Sequence, residues 1–378
     1  MTGKIHTIAC GCEAYDKTYS LGYESGHEDW SPYSRVNRLR QTFLDREFNI
    51  DIERFRNVTE AYKEYENATT KIRCAKAFER ILMNATLYIY DEELILGEIA
   101  APAKASPQYP EFSVNWMLHE ALEEPFEERE HDQFYFVSDE DRNEFIELCR
   151  YWQGKAVADE VDAYLDGMIA DAKAGLARLS KRDADYAEKR DFYNAVIICH
   201  EAAKKYIIRY AELAEVKALE EKDSARKAEL QQMADNCRQV AGGPAKTFWQ
   251  ALQLFNFATT LTQIEGNGHS ISYGRMDQWL YPYYEADMKA GNISKEFAQE
   301  LLEVTYVKMN NPTKIRDGGT ARVRQGRGFG GECLTIGGVD AEGNDVTNDL
   351  TMMMLDASVH TRMMCPWLLV RMHENTPY

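Results

Sequence analysis

The chain has 378 residues, 44 Lys+Arg against 62 Asp+Glu, a net charge of −18 and a pI near 5.0. A hydrophobic fraction of 44% with 11% aromatics supplies a sizeable core, which excludes a disordered tail, a collagen or a disulfide miniprotein and leaves one large domain or two to three small ones. The acidic balance excludes a general nucleic-acid binder, which needs a basic face for phosphate, and disfavours docking on anionic membranes.

No stretch reaches the ~18 consecutive apolar residues of a membrane span. The first residues, MTGKIHTIACGCEAYDK, lack the apolar core of a signal peptide, so a cytoplasmic protein is expected. Cys10, Cys12, Cys74, Cys149, Cys199, Cys237, Cys333 and Cys365 form no repeated CxxC frame and imply a reducing compartment. The Asn-x-Ser/Thr matches at Asn57, Asn67, Asn84 and Asn292 then read as chance.

Residues 1–40 carry Gly, Ser, Pro and aromatics and predict an irregular arm. From about Asn57 the pattern turns helical: Ile72, Ala75, Phe78, Ile81 and Leu82 step by three and four into one apolar stripe. Pro102, Pro107 and Pro110 predict a loop between Ala100 and Pro110. A Ser138-x-x-Asp141 capping box opens a helix through Phe145, Leu148 and Trp152. From Asp185 to Val240, Phe192, Val196, Cys199, Ala203, Tyr206, Ile207 and Tyr210 repeat helically, and a break near Asp223-Ser224 divides two antiparallel helices. Pro244 opens a helix that is apolar nearly all round and hence buried on most sides. Short β-like runs follow at Cys333–Val339 and Trp367–Met372, with helices at Asp277–Lys289, Ser294–Lys308 and Asn348–Val359. Strand, helix, strand begins an α/β layer arrangement, and the chain stops just after a candidate core strand that needs neighbours on both sides.

Several motifs match a chemistry only in part. Gly326-Arg-Gly328-Phe-Gly330-Gly331 fits GxGxxG, but a strand follows where a nucleotide fold needs a helix, so it reads as a loop into a core strand. His119-Glu120 and His200-Glu201 lack the second His of HExxH, and His200 beside an apolar stripe reads as structural. Cys10 and Cys12 read as a reduced arm. No metal site is expected. His269-Ser270 has no nucleophile elbow, yet it lies on a polar turn between a buried helix and the aromatic run DQWLYPYY, a typical setting for a small-molecule pocket.

Gly266-Asn-Gly-His-Ser-Ile-Ser-Tyr-Gly-Arg275, followed by Met276-Asp-Gln-Trp-Leu-Tyr-Pro-Tyr-Tyr-Glu285, resembles the hallmark of the pyruvate formate-lyase-like glycyl radical enzymes. The helix from Pro244 to Gln253, Arg190-Asp-Phe-Tyr193, Leu334-Thr-Ile-Gly-Gly-Val-Asp340 and Asn348-Asp-Leu-Thr also match, so the resemblance covers nearly the whole chain. It implies an α/β fold: the helix-rich N-terminal part of a ten-stranded barrel, apparently truncated. Residues 1–378 would form one partial domain, with an arm at 1–40, a mainly helical part at 41–265 and the first barrel layers at 266–378. It implies a radical lyase that eliminates sulfite, water or an amine from a small alcohol, within the eliminase branch. Isethionate sulfite-lyase is the best guess; glycerol or propanediol dehydratase, choline trimethylamine-lyase and formate C-acetyltransferase are alternatives. A non-catalytic helical interaction protein is the alternative of another class.

The same resemblance implies no bound cofactor. A glycyl radical, installed by a separate radical S-adenosylmethionine activase, oxidises a cysteine that abstracts hydrogen from substrate. Neither the family's Gly-Cys-Val/Ile-Glu turn nor its Arg-Val-x-Gly loop is present, so no catalytic residue is assigned and no turnover is expected from this chain alone. A gap relative to the family is expected between Lys155 and Gly167. The implied substrate-binding residues are His269 and Ser270, which hold substrate hydroxyls, and Phe329 as an apolar wall. The implied partners are a small-molecule substrate, the activating enzyme and a second copy in a homodimer. The implied location is the cytoplasm or a bacterial microcompartment.

Overall fold

The computed structural model describes residues 29–46, 49–100, 105–111, 114–122, 138–153, 167–266, 271–312, 332–374 and 376. Val36, Leu39 and Phe43 step by three and four, and their segment, Ser34–Asp45, is helix α1. That corrects the arm expected through residue 40: a buried apolar stripe outweighs the Gly-Ser-Pro character before it. Strand β1 (Asn49–Asp51) and helices α2 (Glu53–Glu64) and α3 (Thr70–Asn84) follow. The predicted stripe of α3 is buried at Ala75, Phe78, Ile81 and Leu82 and half-buried at Ile72. The Pro-rich stretch is not all loop: β2 (Ala105–Pro107) pairs in parallel with β1, Ile50 opposite Ser106. A strand on the edge of a two-stranded sheet tolerates the missing N–H of Pro107.

Helices α4 (Asn115–Leu122), α5 (Asp139–Trp152) and α6 (Gly167–Arg178) come next. Ser138 caps α5, its Oγ accepting from the Asp141 N–H at 3.1 Å. The long pair is α7 (Tyr186–Glu220) and α8 (Ser224–Gly242), with Asp223 accepting from the Arg226 N–H at 2.8 Å to start the second helix. The apolar stripe of α7 is buried only in its second half. Ala203, Tyr206, Ile207 and Tyr210 are covered, whereas Val196 and Cys199 are half-buried and Phe192 is 42% exposed. Helix α9 (Phe248–Gly266) begins four residues after Pro244, where buried Asp287 accepts from the Phe248 N–H at 2.7 Å. Its buried Phe257 meets Tyr206 and Tyr210 of α7 at centroid distances of 6.4 and 5.8 Å. This aromatic contact joins the helices into one core.

The remaining elements are β3 (Ser272–Arg275), α10 (Met276–Trp279), α11 (Tyr281–Ala290), α12 (Lys295–Lys308), β4 (Cys333–Gly337), α13 (Asp349–Thr361) and β5 (Trp367–Arg371). Strand β3 occupies a segment that reads in sequence as a Gly-rich turn; pairing with β4 overrides that local preference. The sheet is parallel, in the order β3-β4-β5, with Ser272 opposite Cys333 and Cys333 opposite Trp367. At the end of β4, Gly337 turns at φ 69°, and a Cβ there would stand 3.1 Å from the Arg371 carbonyl oxygen, so any other residue is strained. Asn348 and Thr351 form a complete capping box on α13.

Side chains alternate across this sheet. Leu334 and Ile336 are fully buried on the helix-covered face. Cys333 and Thr335 are half-buried on the other, where Trp367 and Leu369 are 54% and 53% exposed. Among the described residues β5 pairs with β4 alone, and the strands form two open sheets rather than a closed barrel. No helix among the described residues is long and apolar enough to cross a membrane.

Candidate functional site

Three segments reach the β3-β4-β5 sheet at one end. The Cys333 N–H donates to the Ile271 carbonyl at 3.0 Å and the Trp367 N–H to that of Glu332 at 2.8 Å. Ile271, Glu332 and Pro366 therefore stand side by side where the strands begin. His269 and Ser270 immediately precede Ile271, and Phe329 comes three residues before Glu332; all three lie outside the described residues, as do Cys10, Cys12 and the 326–331 glycines. The topology thus delivers the chain from both candidate segments to adjacent strands at the same end. The first row of the open face there is Ser272, Cys333 and Trp367.

Behind this row, on the helix-covered side, lies a buried polar cluster. The Glu332 carboxylate accepts from the Cys365 thiol at 3.4 Å and from the Gln263 Nε2 of α9 at 3.5 Å. Asn310, just past α12, clamps Cys365 twice: its Oδ1 accepts from the Cys365 N–H at 3.0 Å and its Nδ2 donates to the Cys365 carbonyl at 2.8 Å. Burial, then the nearby Glu332 charge, holds the Tyr273 hydroxyl well above its ordinary pKa, so it stays protonated. Among the described residues, the Tyr273 hydroxyl and the Gln263 Oε1 have no hydrogen-bond partner. The cluster ties the starts of β4 and β5 to α9.

The last turn of α9, which leads into His269-Ser270, is held from outside. Arg54 of α2 donates from Nε to the Ile264 carbonyl at 2.9 Å and from Nη2 to that of Glu265 at 3.4 Å, while the Tyr109 hydroxyl donates to the Gln263 carbonyl at 2.5 Å. Glu111 forms a buried ion pair with Arg54. Burial works against the guanidinium charge, but Glu111 outweighs it and raises the Arg54 pKa.

A small cavity beside this turn is lined by Asp51, Arg54, Asn57, Glu98, Tyr206 and Ile264. Burial pushes Asp51 up to about 7. Glu98 also rises to about 7, through burial and the neighbouring Glu93, against the pull of Lys308. Lys308 donates to Glu93 at 2.8 Å and also to Glu98, and Asn311 donates to Glu98 at 2.7 Å.

The other sequence candidates do not join the site. His119 is exposed on α4, and His200 is buried with Nδ1 2.7 Å from its own helix's Val196 carbonyl, as its structural reading predicts. No group of three or more His, Cys, Asp or Glu among the described residues is arranged to hold a metal ion. Sequence reasoning missed Gln263, Glu332, Cys365 and Arg54. A polar Gln263 in an otherwise apolar helix and a Glu332 directly before a core strand are the signals that were available; Arg54 has none, because its partners lie at least 54 positions away.

The Pyruvate formate lyase-like family model matches residues 28–166 and 165–378. Its two parts meet inside the interval where the sequence predicts a gap. A (2S)-3-sulfopropanediol dehydratase from Klebsiella oxytoca is 62% identical over 413 residues, covering 99% of this chain and 50% of its own. That alignment is longer than the chain's 378 residues, so the relative fills positions that this chain lacks. An isethionate sulfite-lyase from Desulfovibrio desulfuricans is 30% identical over 417 residues, covering 97% of this chain and 50% of its own. The glycerol-bound form of the B12-independent glycerol dehydratase from Clostridium butyricum superposes with a TM-score of 0.84 at 33% identity, over 93% of this chain and 49% of that one. The chain spans about half the length of the relatives it matches.

Proposed function

The chain belongs to the pyruvate formate lyase-like family of glycyl radical enzymes, and on that premise we propose that it forms the substrate-binding N-terminal part of a dehydratase acting on a short sulfonated diol. The carrying observation is the 62% identity, across 99% of the chain, to a sulfopropanediol dehydratase. The isethionate sulfite-lyase expected from sequence stands at 30%, so loss of water is favoured over loss of sulfite.

In this reading the glycyl radical, installed by a radical S-adenosylmethionine activase, supplies hydrogen-atom abstraction when the full enzyme is assembled. The chain's own residues bind and orient. His269 and Ser270 hold the substrate hydroxyls, Phe329 forms an apolar wall, and the open face at Ser272, Cys333 and Trp367 lines the chamber. The buried side of the sheet keeps water from the radical. A vicinal diol that loses water leaves an aldehyde that retains its sulfonate.

The test is anaerobic activation of the full-length protein, with the glycyl signal read by electron paramagnetic resonance. (2S)-3-sulfopropanediol, isethionate and glycerol are then supplied in turn. A sulfonated aldehyde from the diol, without sulfite, is the expected result. Sulfite from isethionate at a higher kcat/KM would replace this reading with C–S cleavage.

A further inference from the structure

The β3-β4-β5 sheet carries an arginine at the carboxyl end of each outer strand. Side chains alternate along a strand, and Cα partners in a parallel ladder share a face. Arg371 closes β5 two residues after Leu369 and pairs with Gly337, so it shares the face of Trp367, Leu369 and Cys333. Arg275 closes β3. Simple alternation would turn it with Tyr273, whose ring meets Phe255 of α9 at 4.9 Å. The register shifts between Ser272 and Arg275: three steps along β3 match two along β4, and Arg275 pairs with Thr335, on the face of Arg371. An irregularity that re-aims one side chain recurs beside active sites.

Both side chains come to the same stretch after β4, one from each neighbouring strand. The Arg275 Nη1 donates to the Val339 carbonyl at 3.0 Å. A Cβ at Gly338 would stand 3.2 Å from the Arg371 Nε. Among the described residues neither arginine has an ion pair, and the exposed Arg371 side chain makes no hydrogen bond. The Arg275 Nε and Nη2 are buried with no hydrogen-bond partner. That edge of a guanidinium is the one that grips an oxyanion through two parallel bonds. The nearby carboxylates are engaged elsewhere. Asp277 accepts from the Gly337 N–H at 2.8 Å and the Thr351 hydroxyl at 2.6 Å. Asp340 accepts from the Asn344 N–H at 2.8 Å, and Asp345 lies 2.9 Å from the His373 Nε2.

A buried guanidinium edge without an acceptor is costly, because its donors have lost water and gained nothing. The carboxyl ends of parallel strands are also where open α/β sheets take their ligands. We propose that Arg275 and Arg371 form an oxyanion site at this end of the sheet, taking a sulfonate or the chemically similar sulfate. The inference rests on the proposed function only for the source of the anion: a sulfonated diol would bring it as part of the substrate.

The experiment titrates the full-length protein, without activation, by calorimetry with (2S)-3-sulfopropanediol, propane-1,2-diol and sodium sulfate. Wild type is compared with Arg371→Gln, which alters an exposed side chain, and Arg275→Lys, which keeps the charge but loses the fork. Expected is binding of the sulfonated diol at least tenfold tighter than that of propane-1,2-diol. Each variant should weaken it about tenfold, with the melting temperature of Arg371→Gln unchanged. Sulfate bound as tightly as the sulfonated diol, and weakened by the same variants, would support the site and give it to a free anion. A clear preference for the sulfonated diol would give it to the substrate. Failure of wild type to bind either anion, or undiminished binding in both variants, would overturn the inference. Sulfite release from isethionate by the activated enzyme would overturn the proposed function and leave this site standing.

Discussion

The helical body and the β3-β4-β5 sheet are built to different degrees of self-sufficiency. In the body, the core is covered from within: α7 packs on α3 and α8, and Phe257 of α9 is enclosed by Tyr206 and Tyr210, though Phe192 near the start of α7 stays exposed. In the sheet, helices cover Leu334 and Ile336 of β4, whereas Trp367, Leu369 and Val370 of β5 are all exposed. A helix satisfies its own backbone and needs only an apolar neighbour, whereas a parallel strand needs a partner on each edge and cover on each face. The region that carries the candidate site is therefore the one least complete within the described residues.

Deleting a buried ring should separate the regions most sharply. Phe257→Ala removes a fully buried side chain and should cost about 3–5 kcal/mol in denaturant unfolding. A loss below about 1 kcal/mol would show that the body is not one cooperative core.

A second test lies inside the body. Burial pushes the Asp51 carboxyl up to about 7 in the folded state, from its ordinary value of 3.8 in the unfolded chain. Between these values the folded state binds more protons, so this group's contribution to stability is fully present below about 4, declines as pH rises and is gone above about 7. Asp51→Asn should therefore gain stability relative to wild type as pH is raised from 5 to 7, by up to about 1.4 kcal/mol per pH unit. A constant difference in melting temperature across that range would show that Asp51 is not buried as described.

At the turn leaving β4, Gly337→Ala should cost about 1–3 kcal/mol, because alanine at φ 69° is strained and its Cβ meets the Arg371 carbonyl. An equal melting temperature would remove that constraint. The smallest effect is expected on the open face, where Leu369→Ala should change stability by less than about 0.5 kcal/mol in this chain. A cost of several kcal/mol there would mean that the face is covered.

Helices were the most legible part of the sequence, since a period near 3.6 is a property of local spacing. The α3 stripe and the break at Asp223 formed as read, and of the expected Ser138-Asp141 capping box the Ser138 half formed. Phe192 shows the limit: it continues the period of α7 but is 42% exposed, with no described element covering it. Strand β3 shows another, because its Gly and Ser favour a turn until β4 supplies a partner. At the site, the residues around His269 and Ser270 carried the resemblance to a family, whereas the residues that hold the last turn of α9 were invisible. Arg54 and Ile264 are 210 positions apart, and no local pattern announces their contact.

By itself the sequence determined the helical segments, the two principal strands and the family, because these rest on short-range periodicity and on residues contiguous along the chain. Only the tertiary structure decided which helix carbonyls Arg54 and Tyr109 cap, how Glu332, Gln263 and Cys365 converge, and which face of the sheet stays open. Those depend on through-space satisfaction of buried polar groups, which is settled only when distant segments meet.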